Sequence, residues 1–428
     1  MVKTRQKAAI LGLDGVPIEL IKDLTSRGVM PNLKEIISQG ELHRMRSSQP
    51  PNSAVSWTSM VTGVNPGVHG VYGFTDFIPG TYNTCYHHTS KLGAPPFWAR
   101  NPDMRSIIVN LPASYPAQPL NGVLVSGFIS PNLRNAVYPG GLEETLRSRG
   151  YVIDVEAPDS RADYELFVKN LVTALKKRVE TAEALMELHR WDLFFFVVTG
   201  TDRIGHYFWD AYLDAGHPLH QGFLDYYRQV DEAIGELNRL IGEDTPLMML
   251  SDHGMGQAKV SLNLNALLAK AGYLEISEPD LNYNSVKPGT RAFAAETNKI
   301  YLNSADRFQG GSVKEEDRER TLNELRELLL GVFYEGQRVV KSVYTRGELY
   351  FGPHAERGPD LVAVPNEGFS FKTGLQCDRL FQPDRLSGTH TDDNAFLVLR
   401  GEAEAGLPEG FSIEGSIEAL NAVGGLSL

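Results

Sequence analysis

Several short segments of this sequence place carboxylates and imidazoles where they could share a cation. Asp202 and His206 stand four residues apart in Asp202-Arg203-Ile204-Gly205-His206. On a helix that starts near Asp202 this spacing sets both on one face. The aspartate also reads as a helix N-cap with an incidental histidine. Asp252 and His253 are adjacent in Ser251-Asp252-His253-Gly254-Met255-Gly256. Strand neighbours point to opposite faces, so sharing one ion requires an irregular turn, which the glycines permit; a polar turn with a capping aspartate is the alternative. His390 lies in a polar loop, Ser387 to Asp393, and Asp14 ends an apolar run.

Ser53 follows Pro50-Pro51-Asn52, and the segment after it reads as a short helix closed by Gly63. A hydroxyl at a helix N-terminus is open to ionisation by a metal, and free amides there, notably Ala54 N–H, can cradle a phosphoryl oxygen. An N-cap serine would look the same from local sequence. Taken together, Asp14, Ser53, Asp202, His206, Asp252, His253 and His390 mix oxygen and imidazole donors. That mixture suits zinc or manganese better than calcium, and it is too large for one zinc but right for two divalent ions.

Three buried strands are expected to carry these residues. Ala8–Leu13 runs into Asp14, Leu193–Val198 leads through Thr199-Gly200-Thr201 to Asp202, and Leu247–Leu250 leads through Ser251 to Asp252. Continuous apolar runs indicate strands covered on both faces, as in a parallel sheet. Helical patterns lie between them: Pro17 to Gln39 with a break near Gly28 and Pro31, Glu165 to Arg190, and Tyr226 to Ile241. The alternation predicts an α/β doubly wound domain whose ligand site lies beyond the carboxyl ends of the strands. The core is expected in residues 1–270 and 360–428. A less regular insertion or flanking region, with a charged helix at Val313 to Leu330, spans 271–359.

Composition narrows the class. Of 428 residues, 42% are hydrophobic and 22% charged, the balance of a globular protein with a large core. A net charge of -12 argues against binding a nucleic-acid polymer, yet permits a small anionic substrate if a metal dominates the local field. Two cysteines, Cys85 and Cys377, make neither a disulfide framework nor a cysteine zinc site. The basic start, Met1 to Lys7, is too short for a signal peptide, and no run of about 18 apolar residues spans a bilayer. A cytoplasmic protein without membrane attachment is the resulting expectation; oligomeric state is not legible.

In chain order, the phrases Leu11-Gly12-Leu13-Asp14-Gly15, the serine segment through Thr62-Gly63 and His69-Gly70, Thr201-Asp202-Arg203-Ile204-Gly205-His206, Ser251-Asp252-His253-Gly254-Met255 and Gly388-Thr389-His390 resemble the type I phosphodiesterase/nucleotide pyrophosphatase family of the alkaline phosphatase superfamily. The resemblance implies an alkaline-phosphatase-like fold, with a mostly parallel central sheet and helices on both faces. It implies one divalent ion on Asp202, His206 and His390. A second is implied on Asp14, Asp252 and His253, with Ser53 bonded to it as nucleophile. The implied activity is hydrolysis of a small phosphate ester through a phosphoseryl intermediate. The chain departs from nucleotide pyrophosphatases where they carry an asparagine after the histidine-glycine pair: here stands Phe74.

An apolar wall of Phe74 or Trp57 favours a diester over a monoester, although Lys91, Arg100 or Arg105 could supply a cation from elsewhere in the fold. Trp57 reads equally as core, and His69 reads as a loop-structuring residue. A sulfatase is disfavoured because Trp57 stands four residues after Ser53, where no arginine of the sulfatase motif follows. A phosphoglycerate-mutase-like phosphotransferase, a phosphomonoesterase and a non-catalytic binding protein on the same fold are the competing readings.

Overall fold

A computed structural model describes residues 7–160, 163–277, 282–376 and 378–428. The basic stretch up to Gln6 and Cys377 lie outside the described residues, while Cys85 is exposed. The contacts divide the chain into two units: Met1–Val64, His88–Met255 and His390–Leu428 form one, Asn65–His87 and Gly256–Thr389 the other.

The first unit is built on an eight-stranded sheet. Its strands are β1 (Ala8–Leu13), β2 (Glu41–Met45), β3 (Ser106–Leu111), β4 (Gly122–Ser126), β5 (Val137–Tyr138), β6 (Leu193–Val198), β7 (Leu247–Leu250) and β8 (Ala395–Arg400). Their order is β2-β8-β7-β1-β6-β3-β4-β5. The three apolar runs singled out in the sequence are thus the central strands, with β1 parallel to both β6 and β7. Antiparallel pairing is confined to β2, β8 and β7 on one side and β4 with β5 on the other.

Burial explains the unbroken apolar pattern. Ala9, Leu11 and Leu13 of β1 join Phe194, Phe196 and Val198 of β6 in the core on one face. Ala8 and Ile10 join Leu193, Phe195 and Val197 in the core on the other. Each such side chain withdrawn from water contributes roughly 1.5–3 kcal/mol, so neither face tolerates a polar residue.

The helices fall where periodicity put them. The Pro17–Gln39 stretch is split into α1 (Ile18–Ser26) and α2 (Pro31–Ser38), with Gly28 at φ 70 and Pro31 in the first turn of α2. Next come α3 (Ser53–Thr62), α4 (Tyr164–Leu188), α5 (Gly200–Leu213) and α6 (His220–Ile241). The last begins at His220 rather than Tyr226, since the buried Phe223 and Leu224 already belong to its apolar stripe. Among the described residues no helix is long and apolar enough to cross a membrane.

The second unit holds an antiparallel sheet of Ala292–Ala295, Lys299–Leu302, Leu361–Pro365 and Val340–Thr345. Helix Glu315–Leu330 buries Thr321, Leu325 and Leu329. Phe77 explains why residues 65–87 belong here: its ring packs edge-on against Phe293, Tyr301 and Phe308 at 5.2–5.6 Å between centroids. The unit also takes in the pairing of the strand ending at Asn263 with Gly368–Lys372 and Phe381–Pro383. Its borders therefore enclose the anticipated 271–359 region and run past it at both ends.

Candidate active site

The carboxyl ends of β1, β6 and β7 converge on one buried cluster in the first unit. Asp14 is anchored through its backbone: its N–H donates to the Val198 carbonyl at 3.0 Å, and its carbonyl accepts from Thr201 Oγ1 at 2.6 Å. Helix α5 starts at Gly200 with Thr199 in the cap position, so Asp202 lies in the first turn and is not the cap. The four-residue spacing then brings His206 Nε2 to 3.4 Å from Asp202 Oδ1, and His390 Nε2 reaches the same oxygen at 3.2 Å. The two Nε2 atoms are 2.9 Å apart.

Backbone carbonyls fix the ring orientations. His390 Nδ1 donates to the Pro51 carbonyl at 2.8 Å, and His253 Nδ1 to the Gly254 carbonyl at 3.0 Å. A carbonyl only accepts, so each Nδ1 carries a hydrogen and each Nε2 faces the cluster, as metal-ligating histidines require. There Nε2 can donate to a carboxylate when protonated or ligate a metal when not.

On the other side of the cluster Ser53 Oγ donates to Asp14 Oδ1 at 3.2 Å and stands 3.2 Å from His253 Nε2. His253 Nε2 is 3.6 Å from Asp14 Oδ1 and 3.4 Å from Asp252 Oδ2. Asp252 Oδ1 accepts the Gly15 amide at 3.1 Å, an approach for which Gly15 adopts φ 68. Gly254 serves proximity rather than a reversed turn, since a Cβ there would collide with Asn394.

Electrostatics mark the cluster as incomplete without cations. Asp202 Oδ1 and Asp252 Oδ2 are buried and lack a hydrogen-bond partner. Burial, then the charges of Asp252 and Asp202, push the Asp14 carboxyl well above its usual range, against the opposing Trp57 and Ser53 hydrogen bonds. Burial raises Asp252 to about 7, with the Gly15 amide opposing and Asp202 adding to the rise. Burial also acts to raise Asp202, but the His206 and His390 imidazoles outweigh it and hold this carboxyl well below normal. Burial keeps His253 neutral.

Lone pairs and carboxylates packed this closely repel one another unless protons or metal ions intervene. Two donor groups fit such ions, Asp202 with His206 and His390, and Asp14 with Asp202 and His253; within each, the donor atoms lie within 4.8 Å of one another.

Two of the three residues named from sequence as substrate contacts, Ala54 and Trp57, are committed to other partners. Ala54 N–H is not free: Asn52, the actual cap of α3, accepts it through Oδ1 at 3.0 Å, leaving Ser53 as the first helical residue. Trp57 lines no cleft. It is fully buried, and its indole Nε1 donates to Asp14 Oδ2 at 3.0 Å. Gly12 makes room for it, since a Cβ there would strike the indole ring. Phe74 belongs to the second unit, where its carbonyl accepts the His87 amide.

His69, also in that unit, is fully buried and accepts the Val71 amide at 3.1 Å through Nδ1, with its pKa lowered to about 3 by burial. The Asn52 cap was open to sequence reading, because asparagine caps as well as serine. The Trp57 bond to Asp14 was not, because it depends on a long-range approach across Gly12. Partners of ligands typically contribute 10- to 100-fold in metal affinity. Trp57→Phe, which keeps the packing and deletes the N–H, should therefore weaken metal binding by about that factor in a competitive chelator titration.

A parallel sheet with helices on both faces, and an oxygen–imidazole cluster at its carboxyl edge, are the features of an alkaline-phosphatase-like hydrolase. The sequence pattern of type I phosphodiesterase / nucleotide pyrophosphatase matches residues 8–393, and the chain belongs to that family of phosphoester-cleaving enzymes in the alkaline phosphatase superfamily. None of the curated proteins matches its sequence. Phosphonoacetate hydrolase from Sinorhizobium meliloti 1021, solved with phosphonoacetate, is similar in fold, with TM-score 0.66 and 19% identity over 98% of this chain and 96% of that one. Murine ectonucleotide pyrophosphatase / phosphodiesterase 5 is similar with TM-score 0.57 and 15% identity over 99% and 96%. Its human counterpart gives TM-score 0.57 and 15% identity, over 99% of this chain and 96% of that one.

Proposed function

We propose that this enzyme hydrolyses a phosphodiester with Ser53 as nucleophile and two divalent cations, zinc or manganese, as cofactors. The observation that carries the reading is the Ser53 hydroxyl wedged at 3.2 Å from both Asp14 Oδ1 and His253 Nε2, beside two buried carboxylate oxygens without partners. Asp202, His206 and His390 would hold one ion. Asp14, Asp252 and His253 would hold the other, next to Ser53. When bound, the ions supply Lewis acidity that lowers a hydroxyl pKa and neutralises phosphoryl charge.

The residues do the rest. Ser53 Oγ, whose hydrogen points at Asp14 Oδ1, forms a bond to phosphorus as the bond to the leaving oxygen breaks and that oxygen departs with the electron pair. The Ser53 hydrogen passes by way of Asp14 Oδ1 to the departed oxygen. Water then attacks the phosphoseryl group from the opposite side and the Oγ–P bond breaks. One water proton goes to Ser53 Oγ while the hydroxyl stays on phosphorus. His390 and His253 keep their orientation throughout, because Pro51 and Gly254 hold their Nδ1 hydrogens.

Diester preference is supported by how the arginines on the elements around the site are committed: Arg178 and Arg203 to partners of their own, and Arg100 and Arg105 at the far ends of the elements that carry the site. Arg105 pairs with Asp192 at 2.6 Å, Arg100 donates to the Thr62 carbonyl, Arg178 to the carbonyls of Val152 and Ile153 and to Thr199, and Arg203 to Asp154. Beyond the two cations the site offers, among the described residues, no uncommitted side-chain charge for the extra negative charge of a monoester dianion, whereas a diester carries one negative charge less. Side-by-side kcat/KM values for bis(4-nitrophenyl) phosphate and 4-nitrophenyl phosphate test this. The diester should win by tenfold or more, about 1.4 kcal/mol; an equal margin for the monoester refutes the preference.

A further inference from the structure

We propose that Asn52 contacts the substrate, its Nδ2 donating a hydrogen bond to a non-bridging oxygen of the phosphoryl group on Ser53. The inference rests on the nucleophilic role of Ser53 argued above.

Asn52 is doubly committed. Its main-chain carbonyl accepts Ser56 N–H at 2.9 Å, and its side-chain Oδ1 accepts Ala54 N–H at 3.0 Å. The second bond fixes the amide orientation, since an N–H donor must face the oxygen and not the NH2. The cap thereby turns Nδ2 away from the helix amides, and among the described residues Nδ2 has no hydrogen-bond partner. Asn52 is only half-buried, so the group is reachable by a ligand.

Asn52 immediately precedes Ser53, whose own hydroxyl is buried against Asp14 and His253. A phosphoryl group joined to Ser53 Oγ therefore sits at the mouth of α3, the end over which the Asn52 side chain folds. The main-chain amides of Ser53 and Val55 face the same end without acceptors among the described residues, and helix ends of this kind bind anions. Ala54, the amide that sequence nominated for this task, is occupied by the cap. The side chain that occupies it carries two hydrogens of its own. A held donor aimed at developing phosphoryl charge is the arrangement that stabilises such transition states.

Asn52→Ser and Asn52→Asp separate this role from capping, because serine and aspartate cap as well as asparagine but carry no NH2. Both variants should keep the melting temperature and metal content of the parent. kcat/KM for bis(4-nitrophenyl) phosphate should fall about 10- to 100-fold in Asn52→Ser, and further in Asn52→Asp, where a carboxylate faces the phosphate. Inorganic phosphate reads the same contact without turnover, and its inhibition constant should rise in parallel. Values of kcat/KM and phosphate inhibition within twofold of the parent in Asn52→Ser overturn the proposal. If Ser53→Ala is meanwhile inactive, the nucleophile reading survives that failure; if Ser53→Ala remains active, both fall.

Discussion

Ser53→Ala should lower kcat by at least about 10³-fold while leaving the fold and the metal-binding groups in place. The structure makes the comparison clean. Had Ser53 been the helix cap, its loss would cost about 1 kcal/mol of stability with little effect on chemistry. The cap is Asn52, and Ser53 contributes only the hydroxyl that touches Asp14 and His253. Removing that hydroxyl also removes a hydrogen bond that lowers the Asp14 pKa and one oxygen donor, so the variant should hold metal somewhat more weakly than the parent while keeping its remaining donors. Turnover near the parental rate, together with a lowered melting temperature, would indicate a structural serine.

Stripping the metal should abolish turnover and leave buried carboxyls whose contribution to stability depends on pH in a defined direction. Without cations Asp252 titrates at about 7 instead of about 3.9, because burial disfavours its charge. A carboxyl raised in the folded state gives stability that is complete below the unfolded value and lost as pH rises through the folded one. In the metal-free enzyme Asp252 therefore contributes a loss of stability as pH climbs from about 4 through about 7, against the opposite contribution of the buried neutral His69 and His253. Asp14, raised for the same reason, adds to the loss, while Asp202, held low by two imidazoles, works in the opposite sense only at strongly acid pH.

Cations remove that penalty by replacing the protons. The melting-temperature gap between zinc-loaded and chelated protein should widen with pH, from little at pH 5 to several degrees at pH 8. A thousandfold excess of metal over its Kd corresponds to about 4 kcal/mol. Zinc or manganese should restore activity better than magnesium or calcium, given imidazoles in both donor groups. A gap that stays constant or shrinks with pH would contradict the donor assignment.

The sheet centre was legible because its physics is local. β1, β6 and β7 are buried on both faces, so their sequences are continuous apolar runs, and each ends where a polar residue must face the ligand side. Asp14, Asp202 and Asp252 follow directly from those ends. His390 was not readable alone, since its relation to Asp202 arises only when β8 pairs with β7.

Other features were hidden for similar reasons. Trp57 read as either a cleft or a core residue, because helical spacing cannot reveal that Gly12, on another element, opens the space for its ring. Ala54 looked like a free amide because serine and asparagine cap equally well, and the pair Asn52-Ser53 leaves the choice to the backbone. The extent of the second unit was obscured by Phe77, whose aromatic contacts with residues more than two hundred positions later carry no local signal.

The central claim, covalent catalysis by Ser53, is tested most directly by trapping the intermediate. Zinc-loaded enzyme mixed with excess bis(4-nitrophenyl) phosphate is quenched in acid within the first turnovers, and its peptides are mapped by mass spectrometry. A phosphoryl-bearing adduct on the peptide containing Ser53, appearing with the burst of 4-nitrophenol and absent from Ser53→Ala, is the predicted result. A burst with the adduct on a different residue, or full turnover by Ser53→Ala with no adduct at all, would contradict it.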